Sequence, residues 1–101
     1  MEKRFVWDPN KAASNVRKHG ISFDVAILAF ADPFAFTEQD RIEGGEERWQ
    51  TLGIVGGYML LLVAHTIWDV DESGNEVEII RIISARPATP KERRRYEHEA
   101  R

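Results

Sequence analysis

Three arginines fall in stretches that read as β-strand: Arg48 within Glu46–Val55, and Arg81 and Arg86 within Glu76–Arg86. A guanidinium among apolar strand residues is costly unless it is ion-paired or faces a polar cleft. Arg81, set among Ile79, Ile80, Ile82 and Ile83, is therefore either the partner of a carboxylate (Glu46, Glu47 or Glu78) or part of a site that handles anions. Guanidinium groups clamp phosphate through two parallel hydrogen bonds, so clustered strand arginines favour a phosphodiester ligand. His65, a residue type whose unperturbed pKa is near neutral, lies inside the apolar run Tyr58–Trp68; taken alone it reads as a satisfied core histidine. Lys18-His19-Gly20 reads as a basic helix end. Arg93-Arg94-Arg95 reads as a solvated helix face with Glu97 and Glu99 as partners.

Other chemistries find no support. Phosphate-loop, dinucleotide, zinc and nucleophile-elbow patterns are absent, and Gly44-Gly45 and Gly56-Gly57 are isolated pairs. His19, His65 and His98 have no ligand-like spacing, so neither a metal nor another cofactor is expected. The chain has no cysteine, which removes disulfides and thiolate metal sites.

The elements that must carry these residues follow from caps, turns and periodicity. Arg4–Trp7 reads as a short strand. Asp8 then caps a helix with Pro9 in its first turn, running to about Lys18 and ending at Gly20. Ser22 caps a second helix that Asp32-Pro33 ends, giving a helical hairpin. Phe34–Thr37 reads as a short strand, Glu38–Gly45 as a polar loop and Glu46–Val55 as a strand. Gly56-Gly57 is a turn, and Tyr58–Trp68 is a central strand. Asp69–Asn75 forms a second hairpin loop before the strand Glu76–Arg86. Thr89-Pro90-Lys91-Glu92 is a capping box for a last helix reaching about Glu99. The order β-α-α-β-β-β-β-α predicts an α+β fold: an antiparallel sheet of about four to five strands with an N-terminal helical hairpin and a C-terminal helix. Regular alternation puts Arg81 and Arg86 on opposite faces and separates Glu47 from Arg48, making Glu46 the register-shifted substitute.

A chain of 101 residues, 43% hydrophobic and 31% charged, predicts one small globular domain over residues 1–101. Its core is modest, so a partner-bound or dimeric assembly is expected. The net charge of −3 conceals an acidic middle (residues 32–78, net −9) between basic ends (net +2 and +4). The whole-molecule field does not attract nucleic acid, but a basic face made by the two ends can. Met1-Glu2-Lys3-Arg4-Phe5 offers no signal-peptide core, and the run Tyr58–Ala64 is too short to span a bilayer. The expected location is cytoplasmic, without membrane attachment.

The residues also resemble a known family, the BrnT-type toxins. The likeness begins at Phe5-Val6-Trp7-Asp8-Pro9 with Lys11, Asn15, Lys18-His19-Gly20, Ser22-Phe23 and Ala26. It continues at Asp32-Pro33 and Glu46-Glu47-Arg48-Trp49 with Thr51 and Gly53. It ends on Ile80-Arg81-Ile82-Ile83-Ser84-Ala85-Arg86, Ala88-Thr89, Glu92-Arg93 and Tyr96-Glu97. The central strand carries Ala64-His65-Thr66 where the family often has Val before His-Thr, and continues Ile67-Trp68-Asp69 where a basic residue is common.

The resemblance implies a compact RelE-like fold and metal-independent RNA cleavage. It also implies neutralisation by a cognate DNA-binding antitoxin that represses the shared operon, as a homodimer or a heterotetramer with the antitoxin. RNA cleavage without metal uses the ribose 2′-hydroxyl as nucleophile. In that chemistry Arg48, Arg81 and Arg86 would hold the phosphate, Glu47 (or Glu46) or His65 would act as general base, and His65 could instead be the acid. Lys18 and His19 would bind the RNA backbone. The competing class is a non-catalytic protein- or RNA-binding module with structural arginines.

Overall fold

A computed structural model describes residues 2–99. The elements are β1 (Glu2–Val6), α1 (Pro9–His19), α2 (Phe23–Ala26) continuing into a 3₁₀ turn (Ile27–Ala31), β2 (Phe36–Glu43), β3 (Glu46–Val55), β4 (Met59–Glu72), β5 (Asn75–Pro87) and α3 (Pro90–Glu99). The strands form one sheet in the order β1-β5-β4-β3-β2.

The expected caps are present. The Asp8 side chain accepts from the Asn10 N–H at 2.8 Å, and Gly20 ends α1 in the left-handed region with its N–H donating to the Val16 carbonyl. The Ser22 hydroxyl accepts from Val25 N–H. Thr89 and Glu92 close the reciprocal capping box of α3 at 2.9 and 3.1 Å. Four features depart from the sequence reading. The stretch Asp69–Asn75, read as a hairpin loop, is mostly paired strand, with the turn confined to Ser73 and Gly74. The second helix is a single α turn that tightens to 3₁₀. The stretch read as a polar loop is most of strand β2, with Gly44 and Gly45 forming the hairpin turn at positive φ. Its charges suit an edge strand, where one side of the ribbon meets water. Finally, β1 adds parallel to β5, from Glu2↔Val77 to Val6↔Arg81, so the sheet is mixed.

Each face of the sheet has its own core. On one face α1, α2 and the 3₁₀ turn cover Val55, Leu61, Val63, Ile80, Ile82 and Ala85 with Ile21, Phe23, Ala26 and Ala29. The layers meet most closely at Gly53, where a Cβ would lie 2.2 Å from the Ala29 carbonyl oxygen. On the other face α3 covers only one end, where Tyr96 packs with Leu52, Leu60 and Leu62. Asp32 ties this end together. It accepts from the Ile54 N–H at 2.8 Å, the Phe34 N–H at 3.0 Å and the Tyr96 hydroxyl at 2.5 Å. Burial alone would raise the Asp32 pKa, but these donors hold it below the ordinary carboxylate value. Burial and the same carboxylate push the Tyr96 phenol up to about 12. Among the described residues no helix covers the remainder of this second face.

Among the described residues no helix is long and apolar enough to cross a membrane.

Candidate active site

The uncovered half of the sheet collects the strand arginines. Trp49 pairs with His65, so the next residue on β3, Arg48, comes level with Thr66, and Thr66 pairs with Arg81 on β5. Arg48 and Arg81 therefore approach each other across the central strand on one face. Glu46 lies between them: its Oε1 accepts from Arg81 Nη2 at 2.5 Å and sits 3.6 Å from Arg48 Nε. Arg48 Nη1 is 3.9 Å from Glu43 Oε2. The Arg48 Nε is buried without a hydrogen-bond partner, facing the Glu46 carboxylate only at ion-pair distance. The Arg81 side chain is 41% exposed. Arg48 and Arg81 thus share the Glu46 carboxylate, and Glu43 adds a second, more distant negative charge beside Arg48.

Arg86 joins the same face because β5 contains a bulge. Ile82 pairs with His65 while Ser84 pairs with Ala64, so Ile83 has no opposite number. Ile82 and Ala85, three positions apart, are both fully buried on the helix-covered face. The extra residue reverses the alternation and corrects the expectation that Arg81 and Arg86 point to opposite faces. The Arg86 fork, however, is occupied. Nη1 and Nη2 donate to the two Glu92 oxygens at 2.8 and 2.9 Å, and Nη1 also reaches the Pro87 carbonyl. That bidentate pair, chiefly through the Arg86 hydrogen bond, holds the Glu92 carboxyl at a pKa of about 2. Arg86 secures the start of α3 rather than presenting a free guanidinium.

His65 is on the other face. It has no exposed surface and packs edge-on against Phe30 with ring centroids 5.0 Å apart. Nδ1 lies 3.2 Å from the Thr66 carbonyl, an acceptor only, so Nδ1 carries the proton. Nε2 then accepts from the Thr51 hydroxyl at 2.7 Å, and Thr51 in turn accepts from Thr37 at 2.6 Å. The imidazole is a closed, neutral core group and does not meet the arginines. Burial lowers its pKa from 6.5 to about 4; the Thr66 carbonyl opposes the shift and the charge of Lys3 adds to it. Between those values the unfolded chain takes up a proton that the folded chain refuses. Stability is therefore full above pH 6.5 and declines as the pH falls toward 4, by about 3 kcal/mol in all. Urea unfolding measured across this window should show the slope, and His65→Gln should flatten it.

Glu47 is exposed, pairs with Ile42 and alternates away from Arg48, whereas Glu46 occupies the arginine face. Lys18 and His19 are exposed at the end of α1. With Lys11, Ser14, Asn15, Ile83 and Ser84 they line an open cleft along the edge of β5, beside the arginine surface rather than within it. Asn15 anchors that cleft. Its amide donates to the Ile21 and Ala85 carbonyls at 2.8 and 2.9 Å and accepts from the Ala85 N–H at 3.0 Å. Sequence reasoning assigned Asn15, Thr66 and Trp68 no part. Asn15 and Thr66 are ordinary polar residues until the register sets what faces them. Among the described residues no group of three or more His, Cys, Asp or Glu gathers as a metal site.

The arrangement suits binding of one phosphodiester on an open surface, with a carboxylate beside it. A family model described as "Ribonuclease toxin, BrnT, of type II toxin-antitoxin system" matches residues 7–92. The fold also matches the 1.1 Å crystal structure of the Brucella abortus ribonuclease toxin BrnT, with TM-score 0.56 and 23% sequence identity, covering 88% of this chain and 99% of that one. At that identity the likeness speaks for the fold alone. No curated protein matches the chain.

Proposed function

The chain belongs to the BrnT family of ribonuclease toxins of type II toxin–antitoxin systems, and from that membership we propose that residues 1–101 act as one metal-independent endoribonuclease domain centred on Arg48, Glu46 and Arg81. The observation that carries the reading is the convergence of Arg48 and Arg81 on a single carboxylate, on the half of the sheet without a covering helix. An RNA phosphate competes with Glu46 for the two guanidiniums, which are built to hold such an anion. Displaced from Arg81, the Glu46 carboxylate takes the proton of the ribose 2′-hydroxyl. The 2′-oxygen bonds to phosphorus as the bond to the 5′-oxygen breaks, and that oxygen leaves with a proton from solvent. Arg48 and Arg81 stabilise the charge that builds on the phosphoryl oxygens. Arg86 contributes by fixing α3, Lys18 and His19 by drawing the RNA backbone along the β5 edge, and His65 by supporting the sheet from behind. Glu47 has no part in the chemistry.

A cognate antitoxin with a DNA-binding domain neutralises the enzyme in the cytoplasm and represses the shared operon, in a homodimeric or heterotetrameric assembly. One observation favours a second reading, a non-catalytic module: Glu46 already partners both arginines, as in a structural ion pair. Incubating the purified chain with RNA in excess EDTA separates the two. The enzyme reading expects undiminished cleavage. Cleavage that stops on chelation overturns metal independence, and binding without any product supports the module.

A further inference from the structure

We infer that the shallow recess lined by Val6, Thr66, Trp68, Ile79 and Arg81 is a nucleobase subsite, in which the Trp68 indole stacks on a base of the RNA strand whose phosphate Arg81 holds. The assignment rests on the ribonuclease reading above and adds to it how the substrate is gripped. Trp68 is 56% exposed and Val6 44%, although both are apolar residues on strands. Trp68 pairs with Ile79, two residues along from the Thr66–Arg81 pair, and Val6 pairs with Arg81 from the other side. Side chains two positions apart share a face, so Trp68 and Arg81 line one continuous surface, their positions roughly 7 Å apart along the strand. A nucleotide spans that reach.

The chemistry of the lining selects the ligand. A flat indole and aliphatic walls favour a group with an apolar π-face, and the guanidinium at one end favours an anion attached to it. A nucleotide has both. Stacking accepts every base, so the subsite grips the substrate without reading a fixed sequence.

The test uses a fluorescein-labelled 2′-O-methyl oligoribonucleotide of mixed sequence, which cannot attack its own phosphate, and a matching oligomer made of abasic units. Binding is read by anisotropy. Trp68→Ala should weaken binding of the base-bearing probe about tenfold and leave the abasic probe unaffected, while Trp68→Phe retains most of the affinity. Arg81→Ala should weaken both probes. If Trp68→Ala costs the same on both probes, or nothing on the base-bearing one while Arg81→Ala still loses both, the nucleobase subsite is overturned and the ribonuclease reading stands; the second result would assign the recess to a protein partner. If the wild-type chain binds neither probe, the phosphate site fails and the subsite with it.

Discussion

Arg81→Ala should lower the rate of RNA cleavage by roughly 10²–10³-fold, the usual cost of removing one preorganised donor to a developing oxyanion. The folded state should barely notice. The Arg81 side chain is 41% exposed and its bond to Glu46 lies at the surface, where such pairs contribute about 1 kcal/mol or less. Glu46 also keeps Arg48 nearby, so the substitution leaves no isolated buried charge. Arg48→Ala should cost activity to a similar degree, and the double variant should cost less than the product of the two, because both arginines act on one phosphate. Arg81→Lys should restore only part of the rate, since an ammonium supplies charge but not the planar fork. Single-turnover cleavage of a labelled RNA, beside a thermal melt of each variant, checks all five outcomes. Full activity in folded Arg81→Ala would remove the arginines from the mechanism.

The largest loss of stability should come from Asn15→Ala. This side chain, on α1, makes three hydrogen bonds to backbone groups of Ile21 and Ala85, and only 4% of the residue is exposed. Ala85 follows the bulge at Ile83, beyond the part of β5 that pairs with β1, so its outward N–H and carbonyl have no strand neighbour on that side. The amide of Asn15 replaces the missing strand. Truncation leaves three buried backbone groups without partners, each costing about 1 kcal/mol or more, for a total near 3–4 kcal/mol. A domain of this size should then melt roughly 15–25 °C lower. Asn15→Asp should be no better, because a carboxylate cannot donate to the two carbonyls and would face them with negative charge. Differential scanning calorimetry gives both numbers. A shift of only a few degrees would mean that water or a rearranged α1 takes over these bonds.

The two substitutions differ in how visible their residues are in the chain. Helix ends were legible because capping is local: Asp8, Ser22, Gly20 and the Thr89–Glu92 box each act within four residues of themselves. The central strands were legible from their apolar runs, and the α+β class followed from element order. Pairing was less accessible. That β1 returns parallel beside β5 depends on where α1 packs, and β2 was hidden because an edge strand need not alternate cleanly. The bulge leaves no mark in Ile79–Arg86, whose isoleucines occur on both faces. It is revealed by the β4–β5 register and by Ile82 and Ala85 sharing a core. Hence Arg48, Arg81 and Arg86 could be named as candidates, but not that two converge on Glu46 while the third closes on Glu92. His65 shows the opposite failure: a residue type suited to catalysis, which the fold encloses behind Phe30 and Thr51.

The central claim is that the RNA supplies its own nucleophile at the Arg48–Glu46–Arg81 surface. Mass spectrometry of the products formed in EDTA tests it most directly. The account predicts fragments ending in a 2′,3′-cyclic phosphate and partners beginning with a 5′-hydroxyl, and no cut at a linkage whose 2′-hydroxyl has been replaced by hydrogen. Fragments bearing 5′-phosphates and 3′-hydroxyls, or cleavage that persists at the 2′-deoxy linkage, would contradict it.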